Sequence, residues 1–265
     1  MLRGASAEAK ADLTSELEGS KGDDAKLGEE LFGVAAVLRG EPAVRRILTD
    51  ASVEGDAKAS LAGDVFSNSL GEATTELVKS AVKRRWTASH DLADVIEELG
   101  VLAAVRSAGD DGSKISDELF EVRRVVDKTP GLRTALSDPA RSVSDKSELL
   151  RTLFGEKLLP ATMLLVEQAA AGRHGAIDGA LELFQHTAAH SIGQKIATVY
   201  AARELSGDEH SRLAEALGAQ YDTTVHLLVV QDPEIVGGIR VEIGDDVIDG
   251  TVASKLEDAQ RKLAG

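Results

Sequence analysis

Few residues in this chain have the type and spacing to do chemistry. His186 and His190 stand four apart in HTAAH, which on a helix sets both imidazoles on one face, the spacing of a zinc-binding pair. The glutamate of an H-E-x-x-H motif is absent and no third ligand is evident, although His174 lies on the same helical hairpin. The plainer reading is two polar histidines on a helix surface. Glu97/Glu98 and Asp245/Asp246 are paired carboxylates of the kind used in acid–base catalysis. The first pair reads more simply as the solvated edge of a helix and the second as a turn. Gly237-Gly238 lacks the lysine and hydroxyl of a phosphate-binding loop and precedes a strand pattern, not a helix. Lys83-Arg84-Arg85-Trp86 is the one basic, aromatic spot. It is either an anchor for an acidic partner, with Trp86 at its centre, or a helix end where cations complement exposed carbonyls. No catalytic residue, metal site or cofactor is expected.

Composition narrows the classes further. A net charge of −15 and a pI near 4.9 argue against a phosphate-backbone partner. Aromatic residues make up only 3% of the chain, too few for base-stacking platforms or an aromatic-lined ligand pocket. With no cysteine, disulfides and thiolate chemistry are excluded. Met1 to Lys21 alternates small and charged residues, unlike a secretory leader, and no run approaches the roughly 20 apolar residues that span a bilayer. A soluble, cytosolic protein that reaches a membrane only through a partner is expected.

The elements that position these residues are mostly helices. Ala, Leu, Glu and Lys dominate the first 190 residues, and apolar positions recur three or four apart. The pattern predicts helices over 6–18, 24–39, 42–50, 55–69, 72–85 and 90–106. It then restarts. EELFGVAAVLRGEPAVRRILTD begins at Glu29 and DELFEVRRVVDKTPGLRTALSD at Asp117, an offset of 88 that holds without a gap. Pro42/Pro130, Arg45/Arg133, Asp50/Asp138, Lys58/Lys146, Phe66/Phe154, Leu77/Leu165 and Arg85/Arg173 all pair at this offset. Of the 62 pairs from Glu29 to His90, 20 are identical, against about 4 or 5 for unrelated sequences, which marks an internal duplication. Copy two predicts helices near 115–128, 130–137, 144–155, 159–171 and 175–190, with Ser144 as a cap and Gly172 stopping the fifth. Helix 90–106 follows copy one and also opens copy two. It should be one continuous helix shared by two bundles, with Leu92, Val95, Ile96, Leu99 and Leu102 inaccessible.

After His190 the period changes to strands. KIATVYAARE alternates, and Ser206 with Glu209 forms a capping box opening a helix that carries Leu213 and Leu217. Val225 to Val230 is a strand ended by Asp232-Pro233. Gly237-Gly238 frees the backbone to bend or approach a neighbour, and Ile239, Val241 and Ile243 resume the period. Gly244-Asp245-Asp246 and Asp249-Gly250 make turns. Thr251 caps a last helix with Val252, Leu256, Ala259 and Leu263 on one stripe. The fold class is therefore α+β and mostly α: two fused bundles, 1–91 and 92–190 with helix 90–106 shared, then a small α+β domain over 191–265.

The run DPEIVGGIRVEIGDDVIDGTVASKLEDAQRKL, from Asp232 and Pro233 through Gly237, Gly238, Gly244, Asp245, Asp249 and Gly250 to Leu256, closely resembles the C-terminal signature of the delta/OSCP subunit family of F-type ATP synthase. The resemblance extends upstream through most of the chain and departs from the family in length, a long form with a duplicated helical domain. It implies a non-catalytic stator subunit of the peripheral stalk, on the cytoplasmic face of the bacterial plasma membrane through its complex. The helical domain would bind the N-terminal helices of alpha subunits, and the C-terminal domain, with Leu263 on its last helix, a b-type stalk subunit. The family's groove lies between the first and fifth helices of a bundle. Carried over, it offers Leu13 and Leu17 facing Leu77, Val78 and Ala81 in copy one. In copy two it offers Val95, Leu99 and Leu102 facing Leu164, Leu165 and Ala169. Both grooves are expected to dock a helix, though one could be filled by its own bundle. The alternatives are an unrelated acidic helical adaptor or a standalone enzyme.

Overall fold

The protein was analysed as a computed structural model that describes residues 2–66, 69–171 and 177–264. The predicted helices form where the apolar stripes place them. The stretch predicted as copy one comprises α1 (Ala5–Gly19), α2 (Asp24–Gly40), α3 (Pro42–Thr49), α4 (Gly55–Phe66) and α5 (Glu72–Lys83), followed by α6 (Ser89–Ser107). A single 3₁₀ turn at Gly109–Asp111 leads to α7 (Gly112–Lys128), α8 (Pro130–Ser137), α9 (Val143–Phe154), α10 (Pro160–Ala170) and α11 (Ile177–Ser191). Both ends of α2, α3 and α4 recur 88 residues later in α7, α8 and α9. Proline opens α3, α8 and α10, where its missing N–H costs no helical bond.

Four local expectations need correction. α7 begins at Gly112 and not near 115. Ser142, not Ser144, caps α9: its hydroxyl accepts from Asp145 N at 3.1 Å, and the Asp145 carboxylate accepts from Ser142 N at 3.3 Å. That reciprocal pair moves the cap two residues and the start of α9 one residue earlier than the apolar pattern does. α5 stops at Lys83, because Arg84 turns extended and the Trp86 indole donates to the Ala81 carbonyl at 3.0 Å. β1 below ends at Ala201, short of the predicted Glu204. Gly172, the expected stop of the fifth helix in copy two, lies outside the described residues, as does His174.

α6 runs through Gly100 without a break and supplies two cores. Leu92, Ala93, Val95, Ile96, Leu99 and Ala103 join Leu13, Leu17, Leu31, Leu38, Leu48 and Phe66 in one cluster. Val101, Ala104 and Val105 join Ile115, Leu119, Leu150, Leu165 and Phe184 in the other. Leu102 is only partly buried, packed at the margin, against the expectation that it would be inaccessible. The two cores sit in one compact unit, Met1–Ala188, separate from a second, Ala189–Gly265.

The second unit is a four-stranded mixed sheet in the order β2-β1-β3-β4. β1 (Gln194–Ala201) and β2 (Thr224–Gln231) run parallel, joined by α12 (Gly207–Tyr221), whose Ser206–Glu209 capping box forms as predicted. β3 (Ile239–Ile243) is antiparallel to β1, and β4 (Asp246–Asp249) is antiparallel to β3. Ala197, Val199, Val225, Leu227, Val241 and Ile243 pack with Leu217 of α12 as its core. α13 (Val252–Ala264) follows.

Candidate functional site

A buried polar network of the helical unit is centred on Glu97. Sequence alone suggested a solvated helix edge, but Glu97 is 2% exposed. The Arg39 guanidinium of α2 donates to its two oxygens at 2.9 and 3.1 Å, and Gln168 Nε2 of α10 donates at 2.7 Å. Arg39 also donates to the Ala93 carbonyl at 3.2 Å. Three helices from both predicted copies therefore meet on one carboxylate. A buried charge is tolerated only when paired and hydrogen-bonded in this way. Glu98, one residue on, stays at the surface and pairs with Lys10. Neither carboxylate is in an acid–base arrangement with the other.

A second network occurs twice. Glu30 of α2 accepts from Gly71 N at 2.9 Å and from the Thr74 hydroxyl, at the start of α5. Glu118 of α7 accepts from Leu159 N at 3.0 Å and from the Thr162 hydroxyl, at the start of α10. In each copy a carboxylate from the second helix caps the fifth, where orphan N–H groups and the helix dipole favour an anion. The Glu and Thr of both pairs are identities at the 88 offset; that recurrence was the available signal. Lys58 and Lys146, also paired at this offset, are both buried, and desolvation pushes the Lys58 ammonium below its usual range against the pull of Asp50.

The residues expected to line the grooves are placed differently. Leu13, Leu17, Leu77, Val78, Ala81, Val95 and Leu99 are buried inside the copy-one core, and Leu165 and Ala169 inside the copy-two core. Leu164 is half-buried at the edge. Apart from Leu164, each of these side chains faces inward in its own bundle. The outer side of the α1–α5 seam is open to solvent. On α1 that side carries Asp12 and Glu16, both exposed. Arg84 pairs there with Asp12 and Glu16, Lys83 with Asp56 at 2.7 Å, and Trp86 is half-buried. The basic cluster is thus largely spent on closing the end of α5.

In the C-terminal unit the signature residues have structural work. Gly238 has φ +81°, and a Cβ there would stand 2.9 Å from Thr251 Cα, so only glycine fits. Gly250 N donates to the Ile239 carbonyl and Val252 N to the Gly237 carbonyl, both at 2.9 Å, pinning the start of α13 to β3. Thr251 caps that helix, accepting from Ser254 N at 3.3 Å. Asp232 accepts from Glu234 N at 2.9 Å in the turn with Pro233 that follows β2. Gly244, at φ +59°, and Asp245 make the β3–β4 turn, and Asp246 accepts from the Tyr221 hydroxyl at 3.0 Å. Val252 and Leu256 of α13 are 44% and 60% exposed; the Leu263 side chain lies outside what is described. His186 and His190 are exposed on α11, and the described residues hold no cluster of metal-ligating type.

A family model described as the ATP synthase delta (OSCP) subunit matches residues 102–263. Across 100% of its length the chain is 50% identical to ATP synthase subunit delta of a Nocardioides species, covering 98% of that protein. The chain belongs to the ATP synthase delta (OSCP) subunit family. ATP synthase subunit delta of Streptomyces avermitilis is 37% identical over 99% of this chain and 97% of its own. That of Streptomyces griseus subsp. griseus is 38% identical over 99% and 98%. The family model begins within α6, whereas these relatives also align across the bundle before it. Membership makes the delta-family chain a structural, non-catalytic component of the ATP synthase peripheral stalk. No helix of the described residues is long and apolar enough to cross a membrane.

Proposed function

We propose that this delta-family chain joins two partners of the ATP synthase complex. Its helical unit takes an N-terminal helix of an alpha subunit from the catalytic head, and its C-terminal unit takes a b-type stalk subunit. In this reading residues 1–91 and 92–190 are two copies of one bundle sharing α6, and the protein sits peripherally at the cytoplasmic face of a bacterial plasma membrane. A stator needs binding and stiffness, not chemistry. The stalk assignment is carried by one observation: α13 is fixed at its start by Gly237, Gly238 and Thr251 yet leaves Val252 and Leu256 exposed. An apolar stripe on an anchored amphipathic helix is suited to pack against another helix.

The test is Leu256→Asp in the full-length chain, with binding to the purified soluble domain of the b-type subunit measured by calorimetry. A charge in a helix–helix contact should weaken binding by tenfold or more, while the thermal midpoint of the free chain stays put because Leu256 faces solvent. Unchanged b-subunit affinity would remove α13 from the stalk contact.

A further inference from the structure

α2 lies where a helix docking on the second seam would have to sit. The α6 stripe of Ala93, Glu97, Gly100 and Ala104 faces α2. Arg39 grips the Ala93 carbonyl and the Glu97 carboxylate at 2.9–3.2 Å. A Cβ on Gly100 would stand 2.7 Å from the Phe32 ring, and one on Gly28 would stand 3.3 Å from Ala104 N. The helices approach this closely because both contact positions are glycine. α2 also reaches α10: Gln168 shares the Glu97 carboxylate, Leu164 would lie 3.6 Å from a Gly28 Cβ, and Phe32 is buried in the core that holds Leu165 and Ala169.

The corresponding stripe of α1, 88 residues earlier, reads Ala5, Ala9, Asp12 and Glu16. Asp12 and Glu16 are exposed and bridged by Arg84, whose counterpart in copy two is a glycine, Gly172. The two seams therefore differ in what covers them: a whole helix lies on one and a single side chain on the other. We infer that α2 is the resident occupant of the α6–α10 seam, so the chain accepts one incoming helix, at the α1–α5 seam, and not two. Removing α2 would strip Glu97 of its guanidinium and expose Phe32, a penalty that an incoming helix must overcome and that the α1–α5 seam does not impose. The inference rests on the head-docking reading above.

Two measurements on the full-length chain test it. Titration with a synthetic peptide of the alpha-subunit N-terminal segment should give one equivalent. Because the chain has no cysteine, Glu29→Cys on α2 and Arg151→Cys on α9, both exposed and the latter on the helix whose Arg151 pairs with Glu167 of α10, can be joined by a bis-maleimide. Crosslinking should be near complete and unaffected by saturating peptide. Two equivalents of peptide, a crosslink that fades as peptide is added, or a free chain that crosslinks poorly would each overturn the inference. A chain that crosslinks fully and binds no peptide would refute the docking reading while leaving α2 as the seam's occupant.

Discussion

If α6 belongs to two cores, damage to one bundle should be felt in the other, and Leu165→Ala tests this. Leu165 is 0% exposed in the copy-two core. Truncation removes three carbons, about 2.4 kcal/mol at roughly 0.8 kcal/mol per buried carbon. A residual cavity of roughly 40–60 Å³ adds about 1–1.5 kcal/mol at ~24 cal/mol per Å³. The total is about 3–4 kcal/mol. The reporter is Trp86, the only tryptophan, half-buried in the copy-one cluster with its indole bonded to the Ala81 carbonyl. With a urea m-value of about 2.5–3 kcal/mol/M, the Trp86 fluorescence midpoint should fall by about 1 M, in step with far-UV circular dichroism. The change originates in copy two and is read in copy one. If Trp86 keeps its wild-type midpoint while circular dichroism splits into two steps, the bundles unfold independently and the argument for a shared helix fails.

Other consequences follow from single contacts. Glu118→Ala strips Leu159 N and the buried Thr162 hydroxyl of their acceptor; it should cost about 1–3 kcal/mol by urea titration, and Glu118→Gln less. Gly238→Ala forces a Cβ into the α13 anchor at positive φ and should lower the stability of the C-terminal unit by at least ~1 kcal/mol; a variant as stable as wild type would contradict the geometry. Hydrogen bonds from Arg203, and then from Ser206, hold the Glu209 carboxyl down at about 2. Because a depressed carboxylate stabilises above its unfolded pKa and loses that contribution as pH falls through the folded one, the α12 cap should weaken between about pH 4.5 and 2. An NMR titration midpoint for Glu209 near 4.5 would show the capping contacts absent in solution.

The sequence made the elements legible because helix periodicity and the 88-residue repeat are local signals. α2, α3, α8, α10 and the Ser206–Glu209 cap fall within a residue or so of their predicted places for that reason. Side-chain burial was less legible. Glu97 looks solvated within its own helix, since Glu98 beside it is, and only the crossing of α2 over Gly100 makes it a buried hub. Ser144 looked like a cap because it precedes Leu149, Leu150 and Leu153, but the Asp145 partner selects Ser142. The groove residues come from the resemblance to the family's first–fifth helix seam, and their apolarity places Leu13, Leu77, Leu99 and Leu165 in the cores of their own bundles.

The differences between copies say more about docking than the identities do. Asp12 and Gly100 occupy the same repeat position, as do Glu16 and Ala104, Ala9 and Glu97, and Arg84 and Gly172. In the second predicted copy the stripe is small enough at Gly100 and Ala104 for α2 to pack within van der Waals reach, with one acid, Glu97, set where Arg39 and Gln168 converge. In the first copy the acids remain at the surface and an arginine at the end of α5 holds them. A helix arriving at α1 must displace only that exposed ion pair, which is worth roughly 0–1 kcal/mol, and no core has to open. On the docking reading proposed above, α1, the helix that the alignment makes equivalent to α6, is the one left for a partner.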